Sequence, residues 1–187
     1  MNMRQVIDDG LKKSEKLSGD IRSREIGRHL EYNIFDSKYI VRKYEGSEAT
    51  EYFISLESSD KKVIFGFLRL RIPPKNHAPV YSSIKNTGLV RELHVYNNIV
   101  PVGENKKIST QHLGTGKTLV KLAEYISWFY GLEGVSVITG EGVREYYHKR
   151  GYESIQSYAV KKFKYKLWKI WFIIYFIQFL SLPFKFI

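Results

Sequence analysis

The feature that most constrains this chain is a single amphipathic helix entered through two glycines. From Gly114 to Tyr130, the residues Leu119, Leu122, Ala123, Ile126 and Phe129 fall at helical spacing. One face is therefore apolar and must pack on something. Gly131 and Gly134 bracket its end. Before it, Gly88–Tyr96 reads as a strand, and residues 97–110, polar and carrying Pro101 and Gly103, as a loop. After it, Val135–Thr139 reads as a short buried strand and Gly142–Lys149 as a short helix stopped by Gly151. Tyr152–Val160 reads as a last strand. Upstream, Lys38–Tyr44, Glu51–Glu57 and Val63–Ile72 are rich in β-branched and aromatic residues. Ser58-Ser59-Asp60-Lys61 reads as a hairpin turn, and Pro73-Pro74 ends the third strand. Hairpin strands followed by a strand–helix–strand unit make an α+β layout.

Residues 1–30 read as a charged helical segment, with Met3, Val6, Ile7, Leu11 and Leu17 loosely on one face and Gly19-Asp20 breaking the pattern. Met1–Arg28 is polar with no apolar run, so no signal peptide is expected. The central domain is expected over 31–161, and a basic and apolar tail over 162–187. The net charge is +11, of which residues 161–187 hold six Lys and no acid. The +5 left for the first 160 residues suits a polyanion such as tRNA, the phosphates of a cofactor, or a solvated basic surface. There is no Cys. A disulfide, a thiolate metal site, an iron–sulfur cluster and a cysteine nucleophile are all excluded within these residues.

Gln111-His112-Leu113-Gly114-Thr115-Gly116 lies between the polar loop and the long helix. The glycines let backbone approach a ligand closely. The free N–H groups of the first helical turn, backed by the helix dipole, make a site for a pyrophosphate. Lys117 adds a cation. The dinucleotide fingerprint needs a third glycine where Leu119 stands, and a Walker loop needs one where Gln111 stands, so both fail. An ordinary turn before a helix remains the alternative.

In the strand Val90–Tyr96, Arg91, Leu93 and Val95 share one face, and Glu92, His94 and Tyr96 the other. Glu92 or His94 can serve as a general base, directly or through water. Alternatively, Glu92 pairs with a nearby Arg or Lys, and His94 packs as a satisfied polar group. Tyr146 and Tyr147 are neighbours on the short basic helix and point about 100° apart. One can pack inward while the other offers a phenol to a departing thiolate, or both can be packing aromatics.

Together these segments resemble the acetyltransferase half of the catalytic subunit of Elongator, a tRNA-modifying enzyme of the GNAT superfamily. The resemblance rests on Leu89-Val90-Arg91-Glu92-Leu93-His94-Val95-Tyr96, Val100-Pro101-Val102, Gln111-His112-Leu113-Gly114-Thr115-Gly116, Val137-Ile138-Thr139-Gly140, and the run from Val143 to Tyr152. Ile21-Arg22-Ser23-Arg24-Glu25-Ile26-Gly27 resembles the segment joining the family's two halves. Phe67-Leu68-Arg69-Leu70-Arg71 and Pro73 also fit, and the match spans roughly residues 3–161. It implies a GNAT fold, a mixed, mostly antiparallel sheet flanked by helices, and acetyl-CoA as substrate. Glu92, Leu93, His94 and Val95 would line the acetyl and pantetheine arm. Gln111, Gly114, Thr115, Gly116 and Lys117 would hold the pyrophosphate, and Tyr147, with Tyr146, would lie near the thioester. No metal is implied. The family's joining segment carries zinc-binding cysteines, and Ser23 stands where one would be. The iron–sulfur cysteines of its radical-SAM half have no counterpart in these residues. Acetyl transfer, acetyl-CoA hydrolysis or action with a separate radical-SAM protein are the expected activities, in the cytosol where acetyl-CoA is available. The alternative is a non-enzymatic tRNA-binding or regulatory module that keeps the cofactor site.

The tail has no counterpart in that pattern. Leu167–Phe186 is apolar and preceded by Lys161, Lys162, Lys164 and Lys166, with Lys169 just inside it. Trp168 and Trp171 suit a bilayer interface, and the lysines would keep the domain on the cytoplasmic side. The uninterrupted run, Ile170–Leu182, is short for a span. A tail anchor, an in-plane interfacial helix and an oligomer contact all fit, because an apolar segment of this size must be covered.

Overall fold

The computed structural model describes Met3, Val6, Ile7, Gly10 and residues 19–29, 31–74, 78–79, 81–96 and 114–164. The expected loop over 97–110, Gln111–Leu113 and the apolar C-terminal helix lie outside the described residues, as do Leu11 and Leu17. Met3, Val6 and Ile7 are helical and exposed.

Among the described residues, seven strands form one sheet in the order β1-β2-β3-β4-β5-β7-β6. They are β1 (Ser37–Gly46), β2 (Ala49–Ser58), β3 (Ile64–Ile72), β4 (Thr87–Val95), β5 (Gly134–Ile138), β6 (Glu153–Ile155) and β7 (Tyr158–Lys162). Two α-helices are described, α1 (Thr115–Phe129) and α2 (Arg144–His148). The sheet is mixed and mostly antiparallel. β4 and β5 pair in parallel, and α1 lies between them in sequence, as a parallel pair requires a crossover. The α+β expectation holds. Among the described residues no helix is long and apolar enough to cross a membrane.

The hairpin turns follow local chemistry. Between β2 and β3, Lys61 takes φ 62° while the Asp60 carboxylate accepts from the Ser58 hydroxyl at 2.6 Å and the Lys62 N–H at 3.1 Å. Helix α1 ends at Gly131, whose φ of 75° lets Leu132 N–H reach back to the Ser127 carbonyl at 3.1 Å. The expected last strand over Tyr152–Val160 is instead two strands. β6 and β7 pair antiparallel around Gln156-Ser157, with Gln156 at φ 56°. That turn carries no Gly, Pro, Asn or Asp, so the run reads as continuous from composition.

Two compact units divide the chain: Met1–Tyr44, Glu51–Leu70 and Glu92–Leu122 in one, and Glu45–Thr50, Arg71–Arg91 and Ala123–Ile187 in the other. In the first, Ile26, Leu56, Val63 and Phe65 form a buried cluster against which Tyr32, Ile34 and Tyr96 pack. Residues 21–28 are fixed to the sheet beside them. Ile21–Arg24 and Ile26–Arg28 are 3-10 turns, and Glu25 between them bridges in parallel to Ile64. Arg24 Nη2 donates to Glu57 Oε2 at 2.7 Å, and Arg42 Nη2 to the same oxygen at 3.0 Å. Arg42 Nη1 and the Ser55 hydroxyl donate to Glu57 Oε1. Glu57 is fully buried. Burial works to raise its pKa, but the hydrogen bonds from Arg42, Ser55 and Arg24 outweigh that and hold it below the ordinary value.

In the second unit, β5 and β7 run antiparallel from Gly134↔Lys162 to Ile138↔Tyr158. A methyl group on Gly134 would lie 2.2 Å from the Lys161 carbonyl oxygen, so only glycine fits there. Thr87 and Ser136 share a buried hydroxyl contact of 2.9 Å where β4 and β5 begin their pairing. Glu124 on α1 accepts from the Tyr152 hydroxyl at 2.8 Å and from Lys161 Nζ at 3.0 Å.

Candidate active site

The register between β4 and β5 runs from Thr87↔Gly134 to Val90↔Val137, and β4 then continues five residues further, to Val95. This extension carries Glu92, Leu93, His94 and Val95. The alternation read from sequence is observed. His94 stacks on Tyr96 with ring centroids 5.6 Å apart and leans on Phe67 at 5.9 Å, so the two even-numbered rings share a face. Phe67 in turn stacks on Phe53 at 5.3 Å. His94 is exposed, while Leu93 and Val95 are half-buried. Glu92 is half-buried and pairs with Arg69, Oε2 to Nη1, at 3.7 Å. That contact is partly exposed and long, so it orients the carboxylate without locking it.

Helix α1 begins beside the end of this strand. The contact is made by Gly66 of β3, which sequence reading did not single out. A methyl group on Gly66 would lie 2.9 Å from the His94 carbonyl oxygen, 3.3 Å from Val95 Cα and 3.4 Å from the Thr115 methyl. The missing side chain thus lets the β4 backbone and the first helical residue close over β3. The signal was available, since Gly66 is a lone glycine inside Ile64-Phe65-Gly66-Phe67-Leu68, where a strand glycine marks a close backbone approach.

Gly114 enters the helix at φ 73°, the left-handed region that favours glycine, and its carbonyl accepts the Thr118 N–H at 3.0 Å. Thr115 is buried, Gly116 half-buried and Lys117 exposed. The N–H groups of the first turn precede the regular i to i−4 ladder, and they carry the positive end of the helix dipole. Gln111, the other expected phosphate contact, lies outside the described residues.

Tyr146 and Tyr147 belong to the second unit, and the structure gives them different environments. Tyr147 is buried and packs edge-on against Tyr146 at 5.1 Å and against Tyr152 at 5.5 Å. Burial pushes its phenol up to about 12, with Tyr146 adding to the effect. Tyr146 is half-buried, with the Arg150 guanidinium 3.4 Å above its ring. Its hydroxyl is enclosed without a hydrogen-bond partner among the described residues, and burial raises its pKa also. Both phenols stay protonated at neutral pH, so either is a proton donor and not a base. Among the described residues no group of three His, Asp or Glu could hold a metal ion.

No family model matches the sequence. Elongator complex protein 3 of Schizosaccharomyces pombe is 36% identical over 165 residues, covering 86% of this chain and 30% of that protein. The tRNA uridine(34) acetyltransferase of Methanocaldococcus jannaschii is 40% identical over 150 residues, covering 75% of this chain and 27% of that protein. The solved structure of the archaeal Methanocaldococcus infernus Elp3 with N-terminus deletion (1-46) superimposes with a TM-score of 0.73 at 33% identity, covering 85% of this chain and 38% of that one. The chain spans about 30% of the length of the curated relatives it matches. Over the matched residues the chain belongs to the family of Elongator complex protein 3 and the tRNA uridine(34) acetyltransferases, and shares the fold of the archaeal Elp3.

Proposed function

We propose that this chain is an acyltransferase that binds acetyl-CoA along the extension of β4 beyond its pairing with β5 and passes the acetyl group to an acceptor linked to tRNA. One observation carries the reading: Gly66 brings the end of the Glu92–Val95 strand against Thr115, the first residue of a helix that Gly114 enters. Extended backbone beside outward-pointing helical N–H groups suits an amide-containing arm that ends in a pyrophosphate. Gly114, Thr115, Gly116, Lys117 and Gln111 would hold the diphosphate, and Leu93 and Val95 the arm. Glu92 or His94 would take the acceptor's proton, directly or through water, as the acceptor attacks the thioester carbonyl carbon. The carbon–sulfur bond then breaks, and the leaving thiolate of coenzyme A takes up a proton from solvent. The names of the relatives support a uridine of tRNA as acceptor; any chemistry at a uridine carbon would need a separate radical-SAM protein acting in trans.

Titration calorimetry with acetyl-CoA tests the binding step. The folded chain should give heat at micromolar to millimolar ligand, and a variant with bulky residues at both Gly114 and Gly116 should give none. Free coenzyme A release, followed with and without bulk tRNA, tests turnover. Stimulation by tRNA supports transfer. Acetyl-CoA and tRNA binding without release would instead identify a regulatory module, and no heat with acetyl-CoA would overturn the reading.

A further inference from the structure

One residue past the end of β4, Tyr96 stays attached to the sheet. Its N–H donates to the Phe65 carbonyl at 3.0 Å, so its backbone is fixed to β3. Its ring is half-buried and packs on the cluster of Ile26, Leu56, Val63 and Phe65. Ile26 belongs to residues 21–28, which Arg24 and Glu25 pin to the sheet through Glu57 and Ile64. The ring therefore rests on a rigid base.

The exposed His94 imidazole lies against this ring, with centroids 5.6 Å apart and planes 14° from parallel. Phe67 approaches both, at 5.9 Å from His94 and 6.2 Å from Tyr96. Offset stacking at such separations is attractive. It uses the faces of an imidazole, whereas proton transfer uses the two nitrogens in the ring plane. The stack thus sets the plane in which His94 offers a nitrogen and occupies neither one. Glu92, by contrast, already has a cation, Arg69 Nη1, 3.7 Å away. An exposed side chain without such a stack samples several rotamers, and a reacting group misplaced by about 1 Å loses about a hundredfold in rate.

We infer that Tyr96 is a positioning residue: its ring, backed by Ile26, holds His94 in the orientation from which His94 takes the acceptor's proton. The Tyr96 phenol is not itself the base. Burial raises its pKa, and the Glu25 and Glu92 carboxylates add to the rise, so the phenol stays protonated at neutral pH. The role in proton transfer rests on the acetyl transfer proposed above, whereas the stack itself does not.

NMR of the full chain reads the stack without turnover. The His94 ring signals are assigned among the five histidines by their loss in His94→Gln. In the unsubstituted chain they should show cross-relaxation with the Tyr96 ring protons. Tyr96→Leu, confirmed as folded by its thermal transition, should move the His94 Cε1–H signal downfield as ring shielding is lost, and Tyr96→Phe should leave it nearly in place. Coenzyme A release and acetyl-CoA calorimetry then follow the same variants. Tyr96→Leu should lower kcat about tenfold or more with acetyl-CoA affinity within about twofold, and Tyr96→Phe should keep kcat within about twofold, because a phenyl ring stacks as well. In a His94→Gln background, Tyr96→Leu should cost nothing further, since two residues that act through one group are not additive. Absent cross-relaxation, or a His94 signal unmoved in Tyr96→Leu, would overturn the inference. So would an equal loss of kcat in Tyr96→Phe, which would assign the effect to the hydroxyl, or an undiminished further loss in the His94→Gln background, which would mean a structural role only. No coenzyme A release by the unsubstituted chain would sink the proposed acetyl transfer, and this role with it. The His94 signals tell that result apart from a failure of the stack.

Discussion

At the scale of single residues, two ion pairs with similar partners carry different weight. Glu57 is fully buried and accepts from Arg24, Arg42 and Ser55, whereas the Arg69–Glu92 pair is 3.7 Å long and open to water. Removing the buried carboxylate strands two guanidinium groups, so Glu57→Ala should lower unfolding free energy by about 3 kcal/mol, read from urea titration. Arg69→Ala should cost less than about 1 kcal/mol. A larger fall in turnover than in stability for Arg69→Ala would then report the orientation of Glu92. The tyrosine pair separates in the same way. Tyr146→Phe removes a hydroxyl that has no partner among the described residues, so stability should hold or rise by up to about 1 kcal/mol. Tyr147→Phe keeps the edge contacts with Tyr146 and Tyr152. If its phenol protonates the leaving sulfur, coenzyme A release should drop on the order of a hundredfold with the thermal midpoint little changed.

At the scale of elements, Gly66→Ala is the informative change. Its methyl would meet the His94 carbonyl at 2.9 Å, which is backbone and cannot rotate away. Overpacking of this kind costs about 1–3 kcal/mol, and here it should also weaken acetyl-CoA binding by parting the end of β4 from α1. Calorimetry on a variant shown to be folded checks both. What could be read from the sequence follows the same physics. Helix α1 was legible within one residue at each end, because Leu119, Leu122, Ala123 and Ile126 repeat at helical spacing and Gly131 closes the turn. The Ser58–Lys61 turn was legible because Asp60 caps its own backbone. The β6–β7 turn was not, because Gln156 adopts φ 56° with no residue type that announces it. The face shared by Glu92 and His94 followed from alternation. Their different partners, Arg69 for one and the Phe67 and Tyr96 rings for the other, did not, since both depend on a neighbouring strand. The difference between Tyr146 and Tyr147 was foreseen as a split, but which ring turns inward is decided by Tyr152, a residue from beyond the helix.

For the whole molecule, acid stability is set by carboxylates that prefer to stay ionised. Glu57 is held below its ordinary value near 4.5. Asp60 is lowered to about 2, chiefly by the Ser58 hydroxyl. The unfolded chain takes up these protons first as pH falls. Their contribution is therefore complete above about pH 5 and is lost as pH drops from about 4.5 towards 2. The urea midpoint should be flat above pH 5 and fall through that window, and Glu57→Gln should flatten part of the fall. At the alkaline end, Tyr147 is raised to about 12 from the usual 10, so its contribution is present below pH 10 and fades between pH 10 and 12. The sheet order carries one more consequence. β7 is the last of the described strands in sequence yet lies between β5 and β6, with the Lys161 carbonyl seated on Gly134. β6 meets the sheet through β7, so the β6–β7 hairpin joins β5 as one unit, and this half of the sheet cannot close until the residues up to Lys162 have been made.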